Sequence, residues 1–241
     1  MASRRNVLLE RFFNALISGD RHAAREVVSD TLDADTPATA VINNLFWPVL
    51  EHLQHLYRHD QLATLSYHYA TRLLRQLIDQ MQLRLETTEP NGSKVLVACG
   101  EEESEELAAQ MAVDLLEAGG YEVYFAGGGV ANDEIVEQLA TLEADKLVVF
   151  GARPQTVPQT RLLIDRLHDI GACPTLQIIV GGGVFNRADG LAEEIGADLW
   201  AHDPVDLVDT MLEEPTRRMA KDQRTVGRRR RSGVTPRRAA A

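Results

Sequence analysis

The chain has 241 residues, 44% of them hydrophobic and 25% charged, with a formal net charge of −11. That length suits one large domain or two small ones, and the composition is that of an ordinary globular protein. No apolar run approaches the roughly 20 residues a spanning helix needs, the basic N-terminus lacks a signal-peptide core, and Cys99 and Cys173 form neither a ligand motif nor a disulfide framework, so a cytoplasmic protein is expected.

The first stretch reads as helices. Phe12, Phe13, Leu16 and Ile17 recur at helical spacing. Asp20 is placed to cap a second helix through Ala23, Ala24, Val27 and Val28. Thr36-Pro37 sets a cap oxygen before a proline suited to a first helical turn, and the helix that follows carries Val41, Leu45, Val49, Leu53 and Leu56. Asp60 is placed to cap a fourth, with Leu62, Leu65, Tyr69, Leu73, Leu77 and Met81. Short connections make residues 1–86 a four-helix bundle, and Pro90-Asn91-Gly92 marks 87–93 as a linker.

From Lys94 the pattern changes. Short apolar runs at 95–99, 121–126, 146–150 and 176–180, with a weak fifth at 199–201, alternate with helical stretches at 103–117, 133–142, 159–170, 191–195 and 205–212. Strand then helix, five times over, predicts an α/β domain across 94–213 with a parallel sheet covered on both faces. Glycines follow the strands: Gly100, Gly127–Gly129, Gly151 and Gly181–Gly183. Ligands of open parallel sheets bind beyond the carboxyl ends of the strands, where glycine permits tight turns and close approach. The bland alternative is tight strand-to-helix turns.

The acidic run from Glu101 to Glu106, broken only by Ser104, opens a helix, where each carboxylate gains about 0.3–1 kcal/mol from the helix dipole. His52, His55 and His59 share one helical face, turned some 140–160° from Tyr57 by helical geometry, and read as a solvated face. Cys99, at the end of the first strand, reads as a small buried residue. A receiver domain would need an Asp after the third strand, where Gly151 and Ala152 stand; a dinucleotide site would need glycines where Glu101 to Glu103 stand. Residues 215–241 carry a charge of +9 against −20 for the rest, with no periodic apolar set. The segment from 214 onward is therefore expected to be a disordered Arg-rich tail, and Arg228, Arg229, Arg230 and Arg231 are its candidate contacts to nucleic acid or an acidic partner.

A four-helix cap followed by a five-unit α/β domain resembles the cobalamin-binding module of methionine synthase, corrinoid methyltransferase proteins and B12-dependent photoreceptor regulators. Gly19-Asp20, the cap segment from Tyr57 to His68, Gly120-Tyr121-Glu122-Val123, Val180-Gly181-Gly182 and Gly196-Ala197-Asp198 match the family's local patterns in order. The resemblance implies a helical-bundle cap on a flavodoxin-like, Rossmann-type five-stranded sheet. The family's Asp-x-His-x-x-Gly signature, whose His is the lower cobalt ligand and whose Asp orients it, is degenerate. Glu101 stands at the Asp, Glu103 at the His and Glu106 at the Gly. A carboxylate is a harder, anionic donor than imidazole. Tyr57 stands at the family's shielding Trp, Tyr67 at its Glu, and His68 keeps its His; the Ser that contacts the nucleotide tail falls on Gly151.

The reading is a non-enzymatic regulator or sensor. It would bind a corrinoid, not His-on, through Tyr57, Tyr67, His68, Gly100, Glu101, Glu103, Gly127, Gly128, Gly151, Gly181 and Gly182, with His68 as a candidate upper metal ligand. It would work with a protein partner or as a homo-oligomer, away from membranes. Two alternatives stand beside it: a cofactor-free interaction module of the same fold, and a haem or other tetrapyrrole sensor using His68.

Overall fold

The computed structural model describes residues 2–150, 153–171 and 173–219. The chain opens with α1 (Ala2–Ser18) and α2 (Arg21–Leu32). Asp20 caps α2, accepting from the His22 and Ala23 N–H groups at 3.1 and 3.0 Å. The third rod is α3 (Ala38–Val41), a π-turn (Ile42–Phe46) and α4 (Trp47–Arg58), followed by α5 (Thr64–Gln82). Pro48 explains the π-turn: it has no N–H to give a carbonyl one turn back and its ring crowds that carbonyl. The widened turn just before it relieves both, with the Trp47 N–H reaching back to Ile42 O.

Two expected caps are corrected. The third rod begins at Ala38 with Pro37 itself at the cap position, so Thr36 sits one residue too early and no side-chain oxygen caps it. Asp60 lies in the turn after α4 at φ 55°, and α5 begins four residues later, at Thr64, behind Ala63.

The α/β unit runs β1 (Lys94–Cys99), α6 (Glu103–Ala118), β2 (Glu122–Gly127), α7 (Asn132–Leu142), β3 (Lys146–Phe150), α8 (Thr156–Ile170), β4 (Gln177–Gly181), α9 (Gly183–Arg187), α10 (Leu191–Ile195), β5 (Leu199–Ala201) and α11 (Pro204–Glu213). The five strands are parallel in the order β2-β1-β3-β4-β5, the flavodoxin-like order, with the switch point between β1 and β3. Alternate residues feed two cores. Val95, Val97, Val148, Phe150 and Ile179 face α6, α11 and the bundle, whereas Leu96, Ala98, Leu147, Val149, Ile178 and Val180 face α7, α8 and α10. Both faces are covered, which is why these strands read as continuous apolar runs.

Bundle and sheet share one core. Helix α6 lies between them, buried nearly all round, with Ala108, Ala109 and Ala112 small enough to let it fit. Trp47 meets Phe150 edge-on, with centroids 6.0 Å apart. The segment after α11, assigned to the tail by composition, is placed as far as residue 219: the Glu214 and Arg217 carbonyls accept from Gln177 Nε2, and Met219 N–H donates to Asp198 Oδ1 at 2.6 Å. Arg228 to Arg231 and Gly151 lie outside the described residues.

Candidate functional site

The carboxyl end of β1 is where bundle and sheet meet. After Gly100 the chain enters α6, whose first turn holds Glu103, Glu105 and Glu106 with Glu102 at the cap. Helix α5 presents a stripe one turn apart, Tyr67, Thr71 and Arg75, to that turn. Thr71 Oγ1 donates to Glu103 Oε2 at 2.8 Å, and Arg75 pairs with Glu106 Oε2 at 2.8 Å. From α4, Gln54 Nε2 donates to the Ser104 carbonyl at 3.2 Å. Tyr67 is buried; burial pushes its phenol up, countered by a hydrogen bond with Ser104 and reinforced by the Glu102 and Glu103 charges. Its ring lies flat against Tyr57, with centroids 4.0 Å apart and planes 5° from parallel. His68 is half-buried, its ring 6.3 Å from that of Tyr67.

The expected loop residues fall around this contact. A Cβ on Gly128 would lie 2.8 Å from Gly100 C, so the turns after β1 and β2 cross backbone on backbone. At Gly181 a Cβ would lie 2.5 Å from Phe150 Cε2; the Phe150 ring occupies the space that glycine leaves. Gly127 and Gly182 have φ of 75° and 98°, and Gly182 opens α9. Glu101 is exposed on the rim. On the far side of the bundle contact, Glu51 of α4 is pushed up by burial and held back by His202 and Arg187, so α4 also faces the loops after β4 and β5.

At the β1/β3 switch point, on the α7 and α8 side, lies a cavity of about 630 Å³. Its floor is Ala98, Ile135, Val149 and Leu163, and its mouth is bridged by the ion pair of Glu102 with Arg153. Glu105 is 1% exposed and accepts the Arg153 N–H at 3.3 Å. The acidic run thus does two jobs that the helix-dipole reading did not separate. Glu103 and Glu106 hold the bundle, while Glu102 and Glu105 hold the loop after β3.

Cys99 is half-buried rather than fully buried, and burial, then the neighbouring Glu106 and Glu105, pushes its thiol up to about 12. His52, His55 and His59 are exposed, His52 against Phe13 and His55 against His59. Among the described residues no three His, Cys, Asp or Glu side chains converge as a metal set, and no helix is long and apolar enough to cross a membrane. Sequence reasoning missed Gln54, Thr71, Arg75, Ser104 and Arg153. The spacing of Tyr67, Thr71 and Arg75 was the available signal, since three polar-headed residues interrupt one stripe of an otherwise apolar helix face.

Two family models, each described as a B12 binding domain, match residues 8–82 and 93–208. The chain belongs to the cobalamin-binding domain family. The two matched segments are the helical bundle and the α/β unit. Among relatives of this cobalamin-binding protein, monomethylamine corrinoid protein 2 of Methanosarcina acetivorans is 20% identical over 210 residues, covering 85% of this chain and 96% of its own. Monomethylamine corrinoid protein 1 of Methanosarcina mazei is 18% identical over 211 residues with the same coverage. The solved monomethylamine corrinoid protein of Methanosarcina barkeri shares the fold at a TM-score of 0.75 and 18% identity, over 86% of this chain and 98% of that one.

Proposed function

We propose that this cobalamin-binding protein is a non-enzymatic, ligand-responsive module of the cytoplasm. It holds a corrinoid between bundle and sheet, keeps the corrinoid's own nucleotide base as lower ligand, and presents the loaded form to a protein partner. Family membership and the corrinoid proteins among its relatives support the ligand class. The observation that carries the mode is the Thr71–Glu103 hydrogen bond. Glu103 stands where the resemblance puts the family's cobalt-ligating His, and it is a carboxylate already engaged by the bundle. The residues present do not fit a histidine-ligated cobalt. Tyr57, Tyr67 and His68 would contribute the bundle side of the site. Gly100, Glu101, Gly127, Gly128, Gly151, Gly181 and Gly182 would contribute the sheet side. A ligand entering there must part Thr71 from Glu103 and Arg75 from Glu106, so loading changes how bundle meets sheet. That coupling is why a responsive role is preferred to a purely passive carrier.

A second reading is favoured by Phe150 over Gly181 and by the direct docking of α6 on α4 and α5. In it the cleft is filled by the protein's own side chains and the chain is a cofactor-free interaction module, with Arg228 to Arg231 contacting nucleic acid or an acidic partner. Titration of the full chain with hydroxocobalamin and adenosylcobalamin, followed by gel filtration and absorbance, separates the two. Co-elution with a base-on spectrum is the expected result. A base-off spectrum lost in His68→Ala would replace the base-on mode with His68 ligation. No co-elution well above micromolar leaves the second reading, and a Soret band from the purified protein points to a tetrapyrrole instead.

A further inference from the structure

A pocket of about 570 Å³ lies at the opposite end of the sheet, at the amino ends of β3 and β4. Its lining includes Lys146, Arg218, Asp145 and Ser93, with Tyr121 and Leu212 as apolar wall. Lys146 is the first residue of β3 and only 5% exposed. A buried ammonium is ordinarily paired with a carboxylate. This one donates to Gln177 Oε1 at 2.5 Å, its neighbour in the parallel register, and to the Pro215 carbonyl at 3.3 Å, both of them neutral. Arg218, on the same pocket, donates to the carbonyls of Arg217 and Thr175. Among the described residues neither cation has a carboxylate within ion-pair distance. Asp145 is the acid of the lining, and its Oδ2 is taken by the Lys94 N–H at 2.8 Å. The pocket therefore gathers two cations, one of them buried, against one engaged carboxylate. Burial, then the Arg218 charge, pushes the Lys146 ammonium down, and the Asp145 carboxylate offsets only part of that.

We propose that this pocket binds a phosphomonoester, with the phosphate between Lys146 and Arg218 and the organic part along Tyr121 and Leu212. A dianion matches two cations, and its tetrahedral oxygens can accept from an ammonium and a guanidinium at once. The site is separate from the bundle–sheet cleft and does not rest on corrinoid binding. Its wall is the segment from Glu214 to Arg218, held by the Glu214, Pro215 and Arg217 carbonyls and by the Arg218 guanidinium on the Thr175 carbonyl, so an occupied pocket stiffens the stretch from which the Arg-rich sequence continues.

The test is thermal melting of the full chain with inorganic phosphate, phenyl phosphate or benzoate at matched ionic strength. The expected result is a saturable rise in Tm with both phosphates, larger for phenyl phosphate, and none with benzoate. Arg218 is exposed, so Arg218→Ala keeps the fold, and it is expected to weaken the response at least about tenfold, the loss of one charge-assisted hydrogen bond. Lys146→Gln is the second variant, expected to abolish the response. An equal response in Arg218→Ala would assign phosphate to the Arg-rich tail and overturn the proposal. So would an equal response to benzoate, or no shift at about 10 mM, above the range of even a weak specific site.

Discussion

Thr71 Oγ1 has three acceptors in reach, the Tyr67 carbonyl at 3.1 Å, the His68 carbonyl at 3.4 Å and Glu103 Oε2 at 2.8 Å, and one proton to give. In the docked state the carboxylate takes it, as the shortest and charge-assisted partner. When bundle and sheet part, the hydroxyl falls back on its own helix, so opening strands no buried donor. The contact is a catch that can be released at low cost.

Replacing that donor should weaken the closed state. Thr71→Val is expected to lower stability by about 1–2 kcal/mol in urea unfolding, because Glu103 loses a partner in a half-buried setting. Glu103→Gln keeps an acceptor for Thr71 and should cost less. If the catch competes with ligand, Thr71→Val should also bind hydroxocobalamin more tightly than the unchanged protein; equal affinity would show that parting the two is not part of loading.

The two crossing glycines should respond unequally. Gly128→Ala drives a methyl into the Gly100 backbone, which cannot swing away, and is expected to cost about 1–3 kcal/mol. Gly100→Ala meets the Glu105 carboxylate, Oε2 nearest, and that side chain can shift, though only by loosening its hold on the Arg153 N–H. A smaller loss is expected there, and urea midpoints of the two variants check the order.

Asp114 supplies a pH dependence. It is 1% exposed on α6; Oδ1 accepts from Gln110 Nε2 at 2.7 Å, and Oδ2 has no hydrogen-bond partner among the described residues. Burial, reinforced by the Glu117 and Asp79 charges, pushes its carboxyl from 3.8 to about 7. A raised carboxyl favours the folded state while protonated. Its contribution is therefore whole below about pH 4 and is lost as pH rises through about 7. Asp114→Asn is expected to be more stable than the unchanged protein at pH 8 by about 1–3 kcal/mol, with the gap closing toward pH 4. A constant gap across that range would locate the effect elsewhere.

Trp47 is the bundle's aromatic anchor on the sheet, 5% exposed and edge-on to Phe150. Trp47→Ala is expected to cost about 3–5 kcal/mol. Because bundle and sheet share one core, unfolding followed by far-UV circular dichroism should still show a single transition, at a lower denaturant midpoint. Two separated transitions would mean that this contact alone couples the halves.

Most of the architecture was legible because it rests on periodicity. The five apolar runs gave five strands, since both sheet faces are covered, and Asp20 was readable as a cap from its place alone. Asp60 misled for a physical reason: an aspartate that can cap a helix start also tolerates the left-handed backbone that ends one, and here it does the latter. Helix α9 was missed because five residues beginning with glycine show no repeat. The substitutions at Glu101, Glu103 and Glu106 were visible, but their partners were not. Thr71 and Arg75 lie about thirty residues away along the chain, at separations of 32 and 31, and only the docking of α5 on α6 brings them together. Lys146 read as a strand's first residue, and nothing in the sequence marked it as buried.

The π-turn before Trp47 acts as a gear tooth. One extra residue in a helical turn rotates everything after it by about 100° relative to what comes before. Trp47, Gln54 and Tyr57 all lie downstream, so the direction in which the third rod faces Phe150, Ser104 and Tyr67 is set by a residue count at Ile42–Phe46. A one-residue deletion there would leave hydrophobicity and helix content nearly unchanged. It would nonetheless turn Trp47, Gln54 and Tyr57 about 100° away from their partners, a change of aim with almost no change of composition.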